Sequence, residues 1–211
     1  ALTLFKSRGL KRLILDLKGN PGGSVDYVSS IAGMLVTDAK LNDKQRQKVT
    51  SSDGLLITTL QPRAGSPYVY SRESTYDLYF DAPTDKPDIV VWTDAGSASA
   101  SELLTGALRD YGTAVQMGTT TYGKGIAQTC IPLSDYTGTV ITNSGQKTTG
   151  HWAIYFTIAE YFSPVTTTNI HGKGYTPQAE YDNLDTYEKL WDATIKYFNS
   201  ANVGGGIQAA A

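Results

Sequence analysis

The sequence predicts an α/β fold, and three observations carry that expectation. Short, nearly continuous apolar runs at 11–17 (KRLILDL), 88–93 (DIVVWT) and 114–117 have the pattern of strands buried on both faces of a parallel sheet. The first two run directly into glycine-rich or small-residue turns that open helices. Strand and helix patterns then alternate along the chain, as βαβ units require.

Taken in order, Leu2, Leu4 and Phe5 open a helix that Gly9 stops. After the first strand comes the turn Gly19-Asn20-Pro21-Gly22-Gly23. A helix follows it, capped by Ser24, with Val25, Val28, Ile31, Met34 and Leu35 on one side. Residues 37–54 are polar and charged and read as a surface excursion. Residues 55–80 hold β-rich stretches (LLITTL, PYVYS, TYDLYF) broken by Gly and Pro, the signature of antiparallel strands. Beyond 88–93, the stretch Gly96-Ser97-Ala98-Ser99-Ala100-Ser101 opens a helix with Leu103, Leu104, Ala107, Leu108 and Tyr111 at helical spacing, ended by Gly112. Further strands are expected in IAQTCIPL, GTVIT and HWAIYFTIA. Leu184, Tyr187, Leu190, Trp191, Ile195 and Phe198 mark an amphipathic C-terminal helix. Residues 1–200 thus read as one core and 201–211 as a flexible tail.

Composition narrows the functional classes. A formal net charge of −2, with no basic stripe, points away from nucleic acid and anionic membranes. The single cysteine, Cys130, excludes an internal disulfide framework and a cysteine-rich zinc site; it reads as a small buried residue in a strand. No apolar run is long enough to span a membrane. Neither a metal nor a cofactor is expected.

In open α/β sheets ligands sit at the carboxyl ends of strands, where helix N-termini offer free N–H groups. The turns at 20–23 and 97–101 are therefore the places to look, with plain tight turns as the alternative reading. Gly118 to Lys124 matches seven positions of a phosphate loop, but Gly125 replaces the magnesium-binding Ser/Thr and a strand follows where a helix should. Of the two histidines, His151 heads a strand and His171 lies in a glycine-rich loop, so neither falls where the turns converge. Lysine is the other base available, and Lys124, between Gly123 and Gly125, is an odd place for a merely solvating charge.

In sequence order, the blocks Leu15-Asp16-Leu17-Lys18-Gly19-Asn20-Pro21-Gly22-Gly23, Gly96 to Glu102 with Ala107 to Gly112, Gly118 to Gln128, and Thr157 to Pro164 with Ile170 to Pro177 resemble the C-terminal processing (tail-specific) proteases. The resemblance runs from 10 to 180 and weakens at 38–87. It implies a crotonase/ClpP-like βαβ core with additional antiparallel strands and a C-terminal helix. It also implies a serine endopeptidase cleaving near the C-terminus of protein substrates. By position, Ser99 would be the nucleophile, Lys124 its base and Gln128 the lysine's partner, with Glu102 and Asp110 at acidic positions of the family. Gln178 departs from the family's Asp. Neither the preceding strand nor the peptide-binding PDZ module is visible, so the reading is of a catalytic core. The implied partners are proteins or peptides with exposed C-termini, with self-association left open, and the implied compartment is the bacterial periplasm or cell envelope.

A serine hydroxyl becomes a competent nucleophile when a neighbouring base takes its proton, and lysine can serve only when neutral. Burial away from carboxylates favours that form, and no acidic residue lies between Gly112 and Leu133. Strand alternation would set Gln128 on the same face as Lys124. Ala100 and either Gly22 or Gly23 are the candidate oxyanion-hole amides. Glu102 could organise this site or simply favour the N-terminus of its helix; the latter is the simpler expectation. Asp110 would anchor the helix end. A non-catalytic peptide- or apolar-ligand-binding protein on the same fold is the competing reading, but it has no need of Ser99, Lys124 and Gln128 together.

Overall fold

The computed structural model describes residues 2–9, 11–36, 41–51, 54–62, 65, 68–71 and 89–200; the strand expected at 75–80 and the tail at 201–211 lie outside them. Strand β5 (Ile89–Thr93) organises the chain. It carries no charge, so both of its faces can be covered, and all five residues are buried. It is the centre of a parallel sheet in the order β1-β5-β6, with β1 at Leu13–Asp16 and β6 at Ala114–Gly118. Leu13 pairs with Ile89, and Ile89 with Ala114, so the three carboxyl ends emerge together.

Alternation along β5 divides the core into two layers. Ile89 and Val91 pack against Ala32 and Leu35 of α2 (Val25–Leu35) and against Leu104, Ala107 and Leu108 of α4 (Ala100–Asp110). Val90 and Trp92 pack against Leu190, Tyr197 and Phe198 of α5 (Tyr187–Ser200). Burying one such aliphatic side chain stabilises by roughly 1.5–3 kcal/mol. The polar edge of Trp92 is satisfied inside this layer, where its Nε1 donates to Thr194 Oγ1 at 2.9 Å. The chain's first helix, α1 (Leu2–Ser7), adds Phe5 to the margin of the first layer.

The second sheet is antiparallel, in the order β2 (Thr50–Ser51), β3 (Gly54–Pro62), β8 (Lys147–Phe162), β7 (Ile126–Ile141), with β4 (Tyr68–Ser71) beside β3. The expected segments at 126–133 and around 140 are one strand, interrupted by a register shift between Leu133 and Thr137.

Four expectations need correction. The excursion at 37–54 holds α3 (Asp43–Val49), because Asn42 and Gln45 cap each other's backbone amides at 2.9 and 3.1 Å while Leu41 and Val49 reach the core. On α2 the inward side is Ala32, Gly33 and Leu35, and Ile31 is exposed. On α5, Tyr187 and Trp191 are exposed, although both rings meet Trp92 edge-on. Cys130 is exposed rather than buried, because β7 and β8 run past the body of the domain as a two-stranded ribbon.

Candidate active site

The turns after β1, β5 and β6 meet at the carboxyl edge of the parallel sheet, where such folds place their ligands. Two side chains lace the first two turns together. Asp94 Oδ1 accepts from Gly19 N and Gly96 N, each at 2.8 Å. Ser97 Oγ, fully buried, donates to Leu17 O at 2.7 Å and accepts from Asp94 N at 3.0 Å. A backbone bond from Ala98 N to Asn20 O (3.0 Å) completes the junction. Sequence reasoning passed over Asp94; its signal was an aspartate at a strand end two residues before a glycine, the setting of an Asx turn.

Ser99 caps α4 with φ 57° and ψ −117°, a conformation that non-glycine residues seldom adopt and that costs of order 1–3 kcal/mol. Such strain persists only where the surroundings enforce it. Gly22 is one enforcing neighbour: at φ 92°, it lies so close that a Cβ there would stand 2.5 Å from Ala98 O and 2.6 Å from Ala100 N. The Gly22 amide itself donates to Asn20 Oδ1 at 2.9 Å. Among the described residues no acceptor takes the amides of Gly23 or Ala100, so of the three candidates these two remain available.

Glu102 joins the nucleophile turn to the turn after β6. Its carboxylate is fully buried and accepts four hydrogen bonds. Oε1 takes Thr121 Oγ1 (2.5 Å) and Gly123 N (2.7 Å); Oε2 takes Ser99 N (2.9 Å) and Lys124 N (2.8 Å). Ser99 and Lys124 therefore hang by their amides from one oxygen atom. The expectation that Glu102 merely favours a helix N-terminus accounts for one of these four bonds. The other three come from a segment about twenty residues away, which no local pattern announces. The turn carrying Lys124 also lies on the loop at 170–175: Gly172 N donates to Gly123 O, Thr121 N to Tyr175 O and Tyr175 N to Thr121 Oγ1.

Residues 1–181 match the model of peptidase family S41. This chain belongs to family S41. It is 35% identical over 191 residues to the carboxy-terminal-processing protease of Bartonella bacilliformis, covering 88% of this chain and 35% of that protein. It is 31% identical over 158 residues to the carboxyl-terminal-processing protease of a Synechocystis species, covering 74% and 31%. Among solved structures, the photosystem II D1 C-terminal processing protease superposes with a TM-score of 0.60 at 28% identity, over 88% of this chain and 37% of that one. The chain thus spans about a third of the length of the curated relatives it matches. The mixed α/β core is that of S41 proteases, and all three of these similar proteins are C-terminal processing proteases by name.

In this S41 chain the remaining candidate residues fall into distinct places. Lys124 is half-buried, and no hydrogen bond joins its Nζ to Ser99 Oγ. Gln128 is exposed, and because Lys124 lies in the turn before β7, which starts at Ile126, strand alternation does not relate the two side chains. Asp110 sits away from the nucleophile at the far end of α4, beside Thr166 (3.4 Å) and on a cavity of about 20 Å³ shared with Ser163 and Tyr175. Burial raises the Asp110 carboxyl above its ordinary range, partly offset by Ser163 and Arg109. Burial likewise pushes the Tyr175 phenol strongly up. His151 lies on the ribbon against Ser134 O and His171 is exposed in its loop, so neither joins the site. The 118–124 segment is followed by β7 rather than by a helix, which removes the geometry a phosphate loop needs. Among the described residues no cluster suited to a metal occurs.

Proposed function

We propose that this S41 chain hydrolyses peptide bonds near the C-termini of protein substrates, with Ser99 as nucleophile and Lys124 as general base. The observation that carries the reading is the shared Glu102 oxygen: two segments far apart in sequence are held so that their backbone nitrogens lie within two hydrogen-bond lengths. A cap alone has no use for the second segment.

In this mechanism Ser99 Oγ attacks the scissile carbonyl carbon and its proton passes to Lys124 Nζ. The developing oxyanion is received by the amides of Ala100 and Gly23, each worth about 3–4 kcal/mol in a typical oxyanion hole. Lys124 then protonates the leaving amine. A water attacks the ester with the lysine as base again, releasing the new C-terminus and regenerating Ser99. The lysine side chain closes on Ser99 when substrate is bound, since catalytic hydrogen bonds tighten in the substrate complex. Gln128 is assigned as a positioning residue for the amine in that closed state. The preference for chain ends rests on what the relatives are named for. Asp94, Ser97 and Glu102 act through the residues they hold.

Turnover of an unfolded, tailed protein substrate, followed by mass spectrometry, tests the assignment. Ser99→Ala and Lys124→Ala should each abolish cleavage while melting normally; full activity in Lys124→Ala would refute the Ser/Lys pair.

A further inference from the structure

The sheet formed by β7 and β8 outruns its own cover. At the base of the ribbon Ala127 and Ala159 face the core, buried with Leu103 and Tyr161 and flanked by Val25 and Val28. Register carries the same face outward. Alternation along β7 puts Gln128 on the opposite side, and the extra residue on β8, Ile158, puts Thr157 there with it, so Ile131 with Ile154, and Phe156 and Trp152 on either side of that pair, continue the core-facing row. Past the second shift, Val140 opposite Thr148 lies on it too. None of these side chains is charged, and all the large ones stand in solvent: Val140 is 45%, Ile131 47%, Ile154 51%, Phe156 42% and Trp152 63% exposed. A two-stranded ribbon on its own is marginally stable in water, and a sheet's apolar face calls for a second layer about 10 Å away.

We infer that the second layer is the same ribbon of another copy of this chain, packed face to face about a two-fold axis near the Ile131–Ile154 pair. The area supports that occupant. At about 150–250 Å² for a whole large side chain, the exposed fractions amount to roughly 500 Å² of apolar surface. A stable interface takes about 800 Å² from each partner, a little over half of it apolar, or about 450 Å². An uncharged row on two antiparallel strands is also self-complementary, as an isologous contact demands. Edge-to-edge pairing is disfavoured by comparison. The free edge of β7 carries Pro132, which has no N–H to offer, and an extra segment at 134–136 that includes Asp135.

Sedimentation equilibrium decides the matter, with circular dichroism melts confirming that each variant folds. The wild-type chain should sediment at twice its 22.7 kDa at about 100 μM. Ile154→Lys should raise the dissociation constant by at least about thirtyfold, as loss of a central contact does, and Ile131→Lys should act alike should the first variant melt poorly. Tyr155→Lys, on the opposite face of the same strand and 72% exposed, should leave the dimer intact. A wild-type chain that stays monomeric overturns the inference, including one that instead binds lipid vesicles or an apolar peptide through this face. So does a dimer indifferent to both lysine substitutions.

Discussion

Replacing Glu102 is the perturbation whose size the structure fixes best. In Glu102→Ala four donors lose their acceptor: Ser99 N, Thr121 Oγ1, Gly123 N and Lys124 N. An unsatisfied buried donor costs about 1–3 kcal/mol, so the four together should cost at least about 4 kcal/mol even if a water enters the space. That is a large share of the 5–15 kcal/mol that typically holds a domain together. Glu102→Gln is milder for a reason that can be counted. Its amide oxygen can replace Oε2 and keep Ser99 N and Lys124 N. Its NH₂ can then donate to Thr121 Oγ1, which also accepts from Tyr175 N and can turn its own proton away. Gly123 N and the Thr121 hydroxyl proton then lose their acceptor, two donors rather than four, which predicts a loss of about 2 kcal/mol or more, roughly half that of the alanine variant. Because Ser99 stays anchored, kcat should fall by about 10–100-fold, the size of effect that a small misplacement of reacting groups produces. Urea unfolding combined with steady-state cleavage of a tailed substrate measures both quantities. Wild-type stability and turnover in Glu102→Ala would refute the reasoning, as would a glutamine variant no better than alanine.

Three further outcomes follow from the same geometry. Gly22→Ala places a methyl against Ala98 O and Ala100 N at a φ of 92°, so the nucleophile turn must shift; turnover should fall by about 100-fold or more, with roughly 2–4 kcal/mol lost in urea unfolding. Asp110 has its folded-state pKa raised by burial, so its neutral form is favoured in the native state and stability is lost as pH rises from the ordinary value of 3.8 through the raised one; Asp110→Asn should flatten that part of the stability–pH curve. His151→Ala and His171→Ala should leave the pH profile of cleavage unchanged, since neither ring touches the site, and a profile that changed with either would point to a histidine base.

The parallel core was legible because burial on both faces leaves a plain mark: IVVWT carries no charge, and all of it is inside. The two turns were legible for a related reason, since only small residues allow Gly22 to lie against Ala98 and Ala100. What escaped was non-local. Glu102 has a helix-start signature, and its three bonds to the turn at 121–124 exist only after β6 returns beside β5. The parity argument for Gln128 reached past the strand it relied on, since Lys124 lies in the turn before β7, where alternation does not apply. The helix α3 was hidden by its charge, with only Leu41 and Val49 committed to the core.

The pairing of Ser99 with Lys124 is tested most directly by covalent trapping. The chain would be incubated with a serine-reactive fluorophosphonate and the adduct located by peptide mapping, with the labelling rate compared between wild type and Lys124→Ala. The account predicts one adduct, on Ser99, formed in the wild type and slowed at least about a hundredfold in the lysine variant, as expected when a nucleophile loses its base. An adduct on another serine, or undiminished labelling of Ser99 in Lys124→Ala, would contradict it.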